Sequence, residues 1–267
     1  MPGGPVLTDD QRAKAADLLA AAERDRAPIP PLTESFPGVD VVDAYQIQLL
    51  NIGRRARRVL GHKVGLSSLA MQRMMGVHEP DYGHLLDDML LTEQESVHSG
   101  RYCYPRVEVE VGFVLGADLP GRDCTEQDVL AGTRALAPAI ELIDSRITDW
   151  RIGLADTIAD NASSAGFVLG AARVPPGALD PRTIEASLLR NGEVVERGRS
   201  DAVLGNPVTA VAWLARKVAE FGVRLRAGHV VLPGSCTRAV DVRPGDAFHA
   251  EFSGLGSVSL NFLGGPQ

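Results

Sequence analysis

Cysteine is scarce in this sequence, and the three residues present, Cys103, Cys124 and Cys236, lie far apart without a CxxC pair. Three cysteines in a chain of 267 residues are too few for a disulfide framework, and the lack of a CxxC pair argues against a structural zinc site. The scarcity instead indicates reduced thiols, as in a cytoplasmic protein.

The chain carries fewer basic than acidic residues. The chain has 27 Lys and Arg against 34 Asp and Glu, which gives a formal net charge of −7. This balance predicts no surface for nucleic acid or for an anionic membrane. The N-terminal stretch lacks the apolar core of a signal peptide, and no segment approaches the ~18 apolar residues of a membrane-spanning helix. We therefore expect a cytoplasmic protein.

The first part of the chain, residues 1–65, is predicted to be a helical N-terminal region. Thr8 and Gln11 have the spacing of a capping box, which opens an alanine- and leucine-rich helix to about Arg26. A second helix is predicted from about Val41, because apolar residues then recur every three or four positions. Gly61 is expected to stop this helix.

Residues 66–267 are predicted to be a β-rich domain. Alternating residues predict a strand and turn in YPRVEVEVGFVLGADLPG and a further strand in AIELIDSRI. Asn191-Gly192 suits a two-residue hairpin turn, and several closing strands follow near the C-terminus. Strands without regular alternation with helices indicate an α+β fold with an antiparallel or mixed sheet.

Two helices are expected within this β-rich domain. The first is capped by Thr125, with Asp128 at its third position, and is expected to end at Pro138. The second opens at Asn206-Pro207, since proline is favoured at the first helical position. The sequence GLGSVS near the C-terminus precedes a strand rather than a helix, so it does not predict a dinucleotide site.

Two glutamates, Glu108 and Glu110, stand two residues apart in the strand PRVEVEVGF. Side chains at i and i+2 of a strand share a face, roughly 6.5 to 7 Å apart, so the two carboxylates are able to converge on one ion. The common alternative is a solvated polar face. Gly112 and Val114 continue the same face, however, so the face is not uniformly polar.

A third carboxylate, Glu141, lies between Ile140 and Leu142 in another predicted strand. An acid in an apolar strand is costly unless it is paired or bound to a cation. Three hard oxygen ligands suit Mg²⁺ or Mn²⁺. Zinc is not expected, because no His or Cys accompanies the three acids.

Several segments together resemble the 2-hydroxypenta-2,4-dienoate (2-keto-4-pentenoate) hydratase family of the fumarylacetoacetate hydrolase superfamily. They are GHKVGLSS, GVHEPDYGHLLDDM, PRVEVEVGFVL, PAIELIDSRITDW, DTIADNASSAGFVLG, GNPVTAVAWLARK, AGHVVLPGSCTRAV and FSGLGSVSLNF. The resemblance covers nearly the whole chain from about residue 40. In residue sequence, these segments are most similar to actinobacterial 2-hydroxyhexa-2,4-dienoate hydratases of steroid-ring and aromatic meta-cleavage pathways.

The resemblance implies a fumarylacetoacetate hydrolase-like mixed β-roll, a homo-oligomer and a divalent metal, Mg²⁺ or Mn²⁺. The family's metal ligands map onto Glu108, Glu110 and Glu141. Other branches of the superfamily carry aspartate at the third position, so Glu141 favours the hydratase and decarboxylase branch.

Three further positions, Lys63, Asp81 and Ser163, fall in motifs that line the pocket in this family. Each also has an ordinary structural explanation: a solvated lysine at a helix exit, a turn-forming aspartate, and a serine that caps a helix or turn in competition with Asn161. If Lys63 is drawn inward, burial is expected to lower its pKa and make proton transfer possible.

The activity that the resemblance implies is addition of water to a 2-hydroxy-2,4-dienoate, giving a 4-hydroxy-2-oxo acid. Lys63 would transfer a proton or stabilise the enolate, Asp81 would orient or deprotonate water, and Ser163 would hydrogen-bond the substrate. A 4-oxalocrotonate decarboxylase with the same three acids is the alternative enzyme. A non-catalytic subunit of a pathway complex is the alternative from another class, and a pathway aldolase or decarboxylase is a possible partner.

Overall fold

The computed structural model describes residues 6–264, which form seven α-helices and two β-sheets. The α-helices are α1 (Asp9–Asp25), α2 (Leu32–Ser35), α3 (Val41–Arg55), α4 (Leu69–Met75), α5 (Glu126–Gly132), α6 (Leu154–Ala159) and α7 (Pro207–Glu220). Within the described residues, none of these helices is long and apolar enough to cross a membrane.

Eleven strands are described. They are β1 (Val59–Gly65), β2 (Asp81–Leu86), β3 (Arg106–Leu115), β4 (Thr133–Ile143), β5 (Ser164–Leu169), β6 (Glu185–Arg190), β7 (Glu193–Arg199), β8 (Val230–Leu232), β9 (Val240–Asp241), β10 (Ala247–Phe252) and β11 (Gly256–Asn261).

The larger sheet has seven strands in the order β2-β1-β8-β3-β4-β5, with β9 paired to one end of β3. Only β1 and β8 pair in parallel; the other neighbours in this sheet are antiparallel. A bridge from Leu90, just after β2, to Phe167 of β5 brings the two edges of the sheet together. The sheet is therefore curled, which fits the predicted α+β roll. A smaller antiparallel sheet, β11-β10-β6-β7, packs beside it.

Apolar side chains form one large core and a smaller one. The smaller core draws on β2, β4, β5 and β8, and comprises Leu85, Leu86, Met89, Ala139, Phe167, Val230 and Leu232. Ala139 is the cross-strand partner of Glu110, and cross-strand partners point to the same face of a sheet. The smaller core therefore continues the sheet face that carries Glu110.

The second helix ends earlier than the sequence predicted, so that prediction was wrong. Helix α3 stops at Arg55, with Ala56 in the left-handed conformation, and residues 59–65 form strand β1. Gly61 is not a helix stop. A Cβ atom there would lie 1.8 Å from the carbonyl oxygen of Val230, so glycine is required for the close pairing of β1 with β8.

Pro138 also has a different role from the predicted one. Helix α5 already ends at Gly132, and Pro138 lies inside the long strand β4. Its carbonyl accepts a hydrogen bond from Gly170, just beyond the end of β5. In a strand, the nitrogen and the carbonyl of one residue point to the same side, so the Pro138 nitrogen points away from β3. Its missing N–H therefore does not interrupt the pairing of β4 with β3.

Other local predictions are confirmed. Thr8 and Thr125 each form a capping box, and Asn206 caps α7 by accepting a hydrogen bond from Val208. Asn191 and Gly192 both have positive φ in the turn between β6 and β7, as a type I′ hairpin requires. The division of the chain at residue 65 stays a prediction, although β1 on its N-terminal side pairs within the larger sheet.

Candidate metal centre and active site

The three glutamates singled out in the sequence converge in the structure. Glu108 and Glu110 lie on β3, and Glu141 on β4 is the direct cross-strand partner of Glu108. One carboxylate oxygen from each residue lies within 4.8 Å of the other two. Because side chains alternate along a strand, Glu108 and Glu110 point to the same face of β3. The register of β4 against β3 then places Glu141 on that face beside Glu108.

These carboxylates are not on a solvated face. Glu110 and Glu141 are fully buried, and Glu108 is half-buried. One oxygen of Glu110 accepts a 2.7 Å hydrogen bond from the backbone amide of Gly234. Its other oxygen and both oxygens of Glu141 have no hydrogen-bond partner among the described residues. The Lys63 amine lies 3.5 Å from Glu141, but one amine cannot balance three buried carboxylates, so the group needs a further cation or protons for compensation.

Burial raises the pKa of all three carboxyl groups, that of Glu141 to about 7. Repulsion from the neighbouring glutamates adds to the rise for Glu110 and Glu141. A divalent cation would remove the repulsion and provide partners for the free oxygens. Three carboxylates without nitrogen or sulfur donors are the ligand chemistry of Mg²⁺ and Mn²⁺. The residues present therefore fit such an ion.

Lys63 lies beside this group, in the interior of β1 rather than at a helix exit. It is 3% exposed, so the solvated-lysine alternative is wrong. Its Nζ lies 3.5 Å from a carboxylate oxygen of Glu141 and donates a 2.9 Å hydrogen bond to the carbonyl of Ala162. The expectation of a lowered pKa is also wrong. Burial does act to lower the pKa of Lys63, but the surrounding carboxylates, Glu141 foremost, outweigh it and raise the pKa.

Asp81 begins β2 and pairs with Gly65 of β1, so it is a strand residue rather than a turn residue. Its side chain is buried, and burial raises its pKa while the charge of Lys63 opposes that rise. A Cβ atom at position 65 would lie 2.1 Å from an Asp81 carboxylate oxygen. Gly65 thus makes room for the Asp81 carboxylate beside β1.

Ser163 ends an unusual turn, here called the left-handed turn, made of Asn161, Ala162 and Ser163. The three residues have φ angles of 55°, 50° and 56°, and none is glycine. Each such residue costs roughly 1–2 kcal/mol, so the surroundings must hold the turn in place. The Asn161 side chain bonds the backbone N–H and C=O of His84 at 2.8 and 3.0 Å, so it ties the turn to β2.

The structure brings most of the predicted residues together. Lys63 joins the metal-ligand group through Glu141 and joins the left-handed turn through Ala162. The Ser163 hydroxyl is buried and has no hydrogen-bond partner among the described residues, which leaves it free to bond a ligand. The substrate contact assigned to Ser163 and the catalytic role of Asp81 stay predictions.

Sequence reasoning missed several residues that support this region. The Gly234 amide holds Glu110, and a Cβ atom on Gly234 would lie 1.8 Å from the hydroxyl of Ser67. Ser164, next to the left-handed turn, also has a buried hydroxyl with no partner among the described residues. These residues lie in segments that carried the family resemblance, but glycine and serine are common in turns and gave no separate signal of a site.

Comparison with known proteins agrees with this geometry. A family model for the fumarylacetoacetate (FAA) hydrolase C-terminal region matches residues 64–262. The 2-keto-4-pentenoate hydratase of Paraburkholderia xenovorans is 44% identical, over 96% of this chain and 96% of its own. The 2-hydroxyhexa-2,4-dienoate hydratase of Comamonas testosteroni is 39% identical, over 91% of this chain and 94% of its own.

A solved structure is similar to this protein over nearly the whole chain. The 4-oxalocrotonate decarboxylase from Pseudomonas putida G7, complexed with magnesium and adipate, superposes with a TM-score of 0.93 at 36% identity. The match covers 97% of this chain and 100% of that one. The chain therefore belongs to the fumarylacetoacetate hydrolase family.

Proposed function

We propose that this protein is a metal-dependent hydratase that adds water to a short 2-hydroxy-2,4-dienoate. The observation that carries the proposal is the buried set of Glu108, Glu110 and Glu141, with oxygens within 4.8 Å of one another and Lys63 at its side. Relatives 39% and 44% identical over nearly the whole chain are named hydratases of this substrate class.

The three glutamates would hold Mg²⁺ or Mn²⁺, and the ion would supply Lewis-acid stabilisation of negative charge on the substrate's 2-oxygen. The carboxylates beside Lys63, with Glu141 at 3.5 Å, raise its pKa and so favour the protonated amine. We therefore assign Lys63 the role of proton donor or positive charge beside the enolate, rather than that of a base.

The reaction needs two steps, ketonisation and hydration. Protonation of the dienoate at C5, with loss of the 2-hydroxyl proton, gives an unsaturated 2-oxo acid whose C4 is electrophilic. Water then adds its hydroxyl at C4 and a proton at C3, which gives the 4-hydroxy-2-oxo acid. Asp81 would orient the water or accept its proton, and the free Ser163 hydroxyl would hold the bound substrate.

A second candidate is 4-oxalocrotonate decarboxylase, because the solved decarboxylase is similar over the whole chain. The same glutamates and Lys63 would then stabilise the enolate left by loss of CO₂. A non-catalytic subunit is disfavoured by the intact glutamate set with Lys63 beside it.

The test is an ultraviolet assay of dienoate consumption with and without Mg²⁺ or Mn²⁺. We expect turnover to stop on chelation with EDTA and to return with either metal, since all proposed ligands are hard oxygens. Undiminished activity in metal-free protein would exclude the proposed site. Incubation with a 2-oxo-hexenedioate separates the candidates, because only the decarboxylase releases CO₂.

Assembly and pathway are further proposals that rest on the family resemblance. We propose a homo-oligomer in the cytoplasm that acts in catabolism of aromatic or steroid rings, beside an aldolase or decarboxylase of the same pathway. A monomer mass by light scattering would contradict the assembly.

A further inference from the structure

A buried ion pair, Arg146 and Asp160, contacts the left-handed turn. The proposed reaction assigns no role to either residue. Asp160 comes directly before the turn, and Arg146 follows β4. Their side chains are only 6% and 2% exposed. The Arg146 Nε donates to one carboxylate oxygen of Asp160, and the backbone amide of Arg146 donates to the other at 3.0 Å.

Arg146 contacts the backbone on both sides of the turn as well. One of its terminal nitrogens donates to the Asp160 carbonyl, and the other lies 3.5 Å from the Ser164 carbonyl. One guanidinium group therefore spans the turn from its first flanking residue to its last. Arginine suits this task, because its planar fork of donors is rigid. Lysine has no such fork.

The other contacts of the turn lead to the active site. Lys63 donates to the Ala162 carbonyl, and Asn161 is bonded to the backbone of β2. The amide of Asp144 donates to the Ser163 carbonyl at 2.8 Å. Three successive left-handed residues other than glycine do not keep this shape by local preference. Their position, and with it the positions of the Lys63 amine and the Ser163 hydroxyl, depends on these surrounding bonds.

We propose that Arg146 and Asp160 are positioning residues for catalysis, which fix the left-handed turn so that it presents Ser163 and orients Lys63. This inference rests on the proposed function for its kinetic consequence. The glutamate set lies on β3 and β4, which the strand ladder holds independently of the turn. Loss of the ion pair should therefore lower the rate of the chemical step while leaving metal affinity unchanged.

The experiment compares Asp160→Asn with a matched control, Asp43→Asn. Asp43 forms another deeply buried ion pair, with Arg12 at 2.9 Å, and their side chains are 0% and 10% exposed. It also accepts backbone amides, those of Val6 and Leu7, but lies in α3 away from the turn. Both variants keep the shape of the side chain and remove its charge. Both should therefore lose stability.

Only Asp160→Asn should lose activity. We expect kcat to fall by about 10²-fold, because displacement of a catalytic group by about 1 Å has that effect. The affinity for Mn²⁺, measured by calorimetry on protein without substrate, should stay at the wild-type value. Asp43→Asn should keep the wild-type kcat. A wild-type kcat in folded Asp160→Asn would overturn the proposal.

Two further measurements keep the test independent of folding failure and of the proposed function. Hydrogen exchange of the segment 160–166 should become faster in Asp160→Asn and not in Asp43→Asn; unchanged exchange would overturn the positioning role even if no substrate were known.

In Arg146→Ala, guanidinium ion should restore part of kcat, because Arg146 borders a solvent-connected cavity of about 170 Å³. A wild-type protein that consumes no dienoate would overturn the proposed function alone.

Discussion

At the scale of single residues, the site depends on how Lys63 and the glutamates share charge. The amine lies 3.5 Å from Glu141, and the carboxylates around it raise its pKa. A divalent cation among those carboxylates would offset much of their charge and bring the pKa of Lys63 back toward its ordinary value. In the proposed mechanism, the glutamate charge that would hold the metal and the Lys63 charge that would move the proton are therefore coupled. Substitutions should separate the two roles.

Substitution of Glu110 by Gln should weaken metal binding without removing the chemistry. Glutamine keeps the size of the side chain and an oxygen to accept the Gly234 amide, but it removes one of three negative charges. We expect part of the lost activity to return at high Mn²⁺ concentration. The measurement is kcat against Mn²⁺ concentration, and failure of excess metal to restore any activity would contradict a purely metal-binding role.

Substitution of Lys63 by Met should give the opposite pattern. Methionine keeps the apolar stem and removes the proton donor, so kcat should fall by ~10²- to 10⁴-fold, the range for general acid–base catalysis. Excess metal should not restore it, and metal affinity should hold or rise, because a positive charge near the ion is gone. The control is Lys217→Met, a lysine paired with Glu79 outside the site. Near wild-type kcat in Lys63→Met would remove Lys63 from the mechanism.

At the scale of elements, the sequence was most informative where one local pattern has one structural meaning. Alternation predicted β3 and the shared face of Glu108 and Glu110, and capping residues predicted the starts of several helices. The end of α3 was missed, because Val59 also continues the three- and four-residue spacing of that helix. Which strand would lie beside β1 depends on contacts distant in sequence, so local patterns could not predict the role of Gly61.

The left-handed turn and the pKa of Lys63 were beyond local reasoning for the same physical reason. Asn-Ala-Ser carries no signal for three successive left-handed residues, and the turn is set by bonds to β1, β2 and the segment after β4. The apolar neighbours of Lys63 in the sequence were compatible with its burial. It could not give the balance between burial and the carboxylates, because that balance depends on distances across the fold.

Two glycines give a test at this scale. Gly61→Ala should lower the free energy of unfolding by about 1–3 kcal/mol, the usual cost of overpacking, because its Cβ would overlap the Val230 carbonyl in a neighbouring strand. Gly53→Ala, within α3, meets nothing within 4 Å and should raise that free energy by about 0.5–1 kcal/mol. Urea unfolding of both variants is the measurement. Equal stability of the two would contradict the close pairing of β1 with β8.

At the scale of the whole molecule, folding stability, metal binding and pH are linked through the buried carboxyl groups. The pKa of Glu141 is raised to about 7 by burial, whereas an unfolded glutamate titrates near 4.3. In metal-free protein, the folded state therefore binds a proton between these pH values that the unfolded state does not. This group stabilises the metal-free fold increasingly as pH falls from about 7 toward about 4.3, and that contribution is absent above pH 7.

Metal binding should show the opposite dependence. The ion needs ionised ligands, so below pH 7 it must displace the proton of Glu141. Its affinity should fall at least about tenfold per pH unit, since the raised pKa values of Glu108 and Glu110 add further protons to displace. The rise in melting temperature caused by a fixed Mg²⁺ concentration should therefore be largest above pH 7 and should shrink steadily toward pH 5. Thermal unfolding with Mg²⁺ and with EDTA across this range measures the difference directly. In Glu141→Gln the proton site is gone, so any remaining stabilisation by Mg²⁺ should depend less on pH. A wild-type shift in melting temperature that is constant from pH 5 to pH 8 would contradict binding of the metal at Glu141.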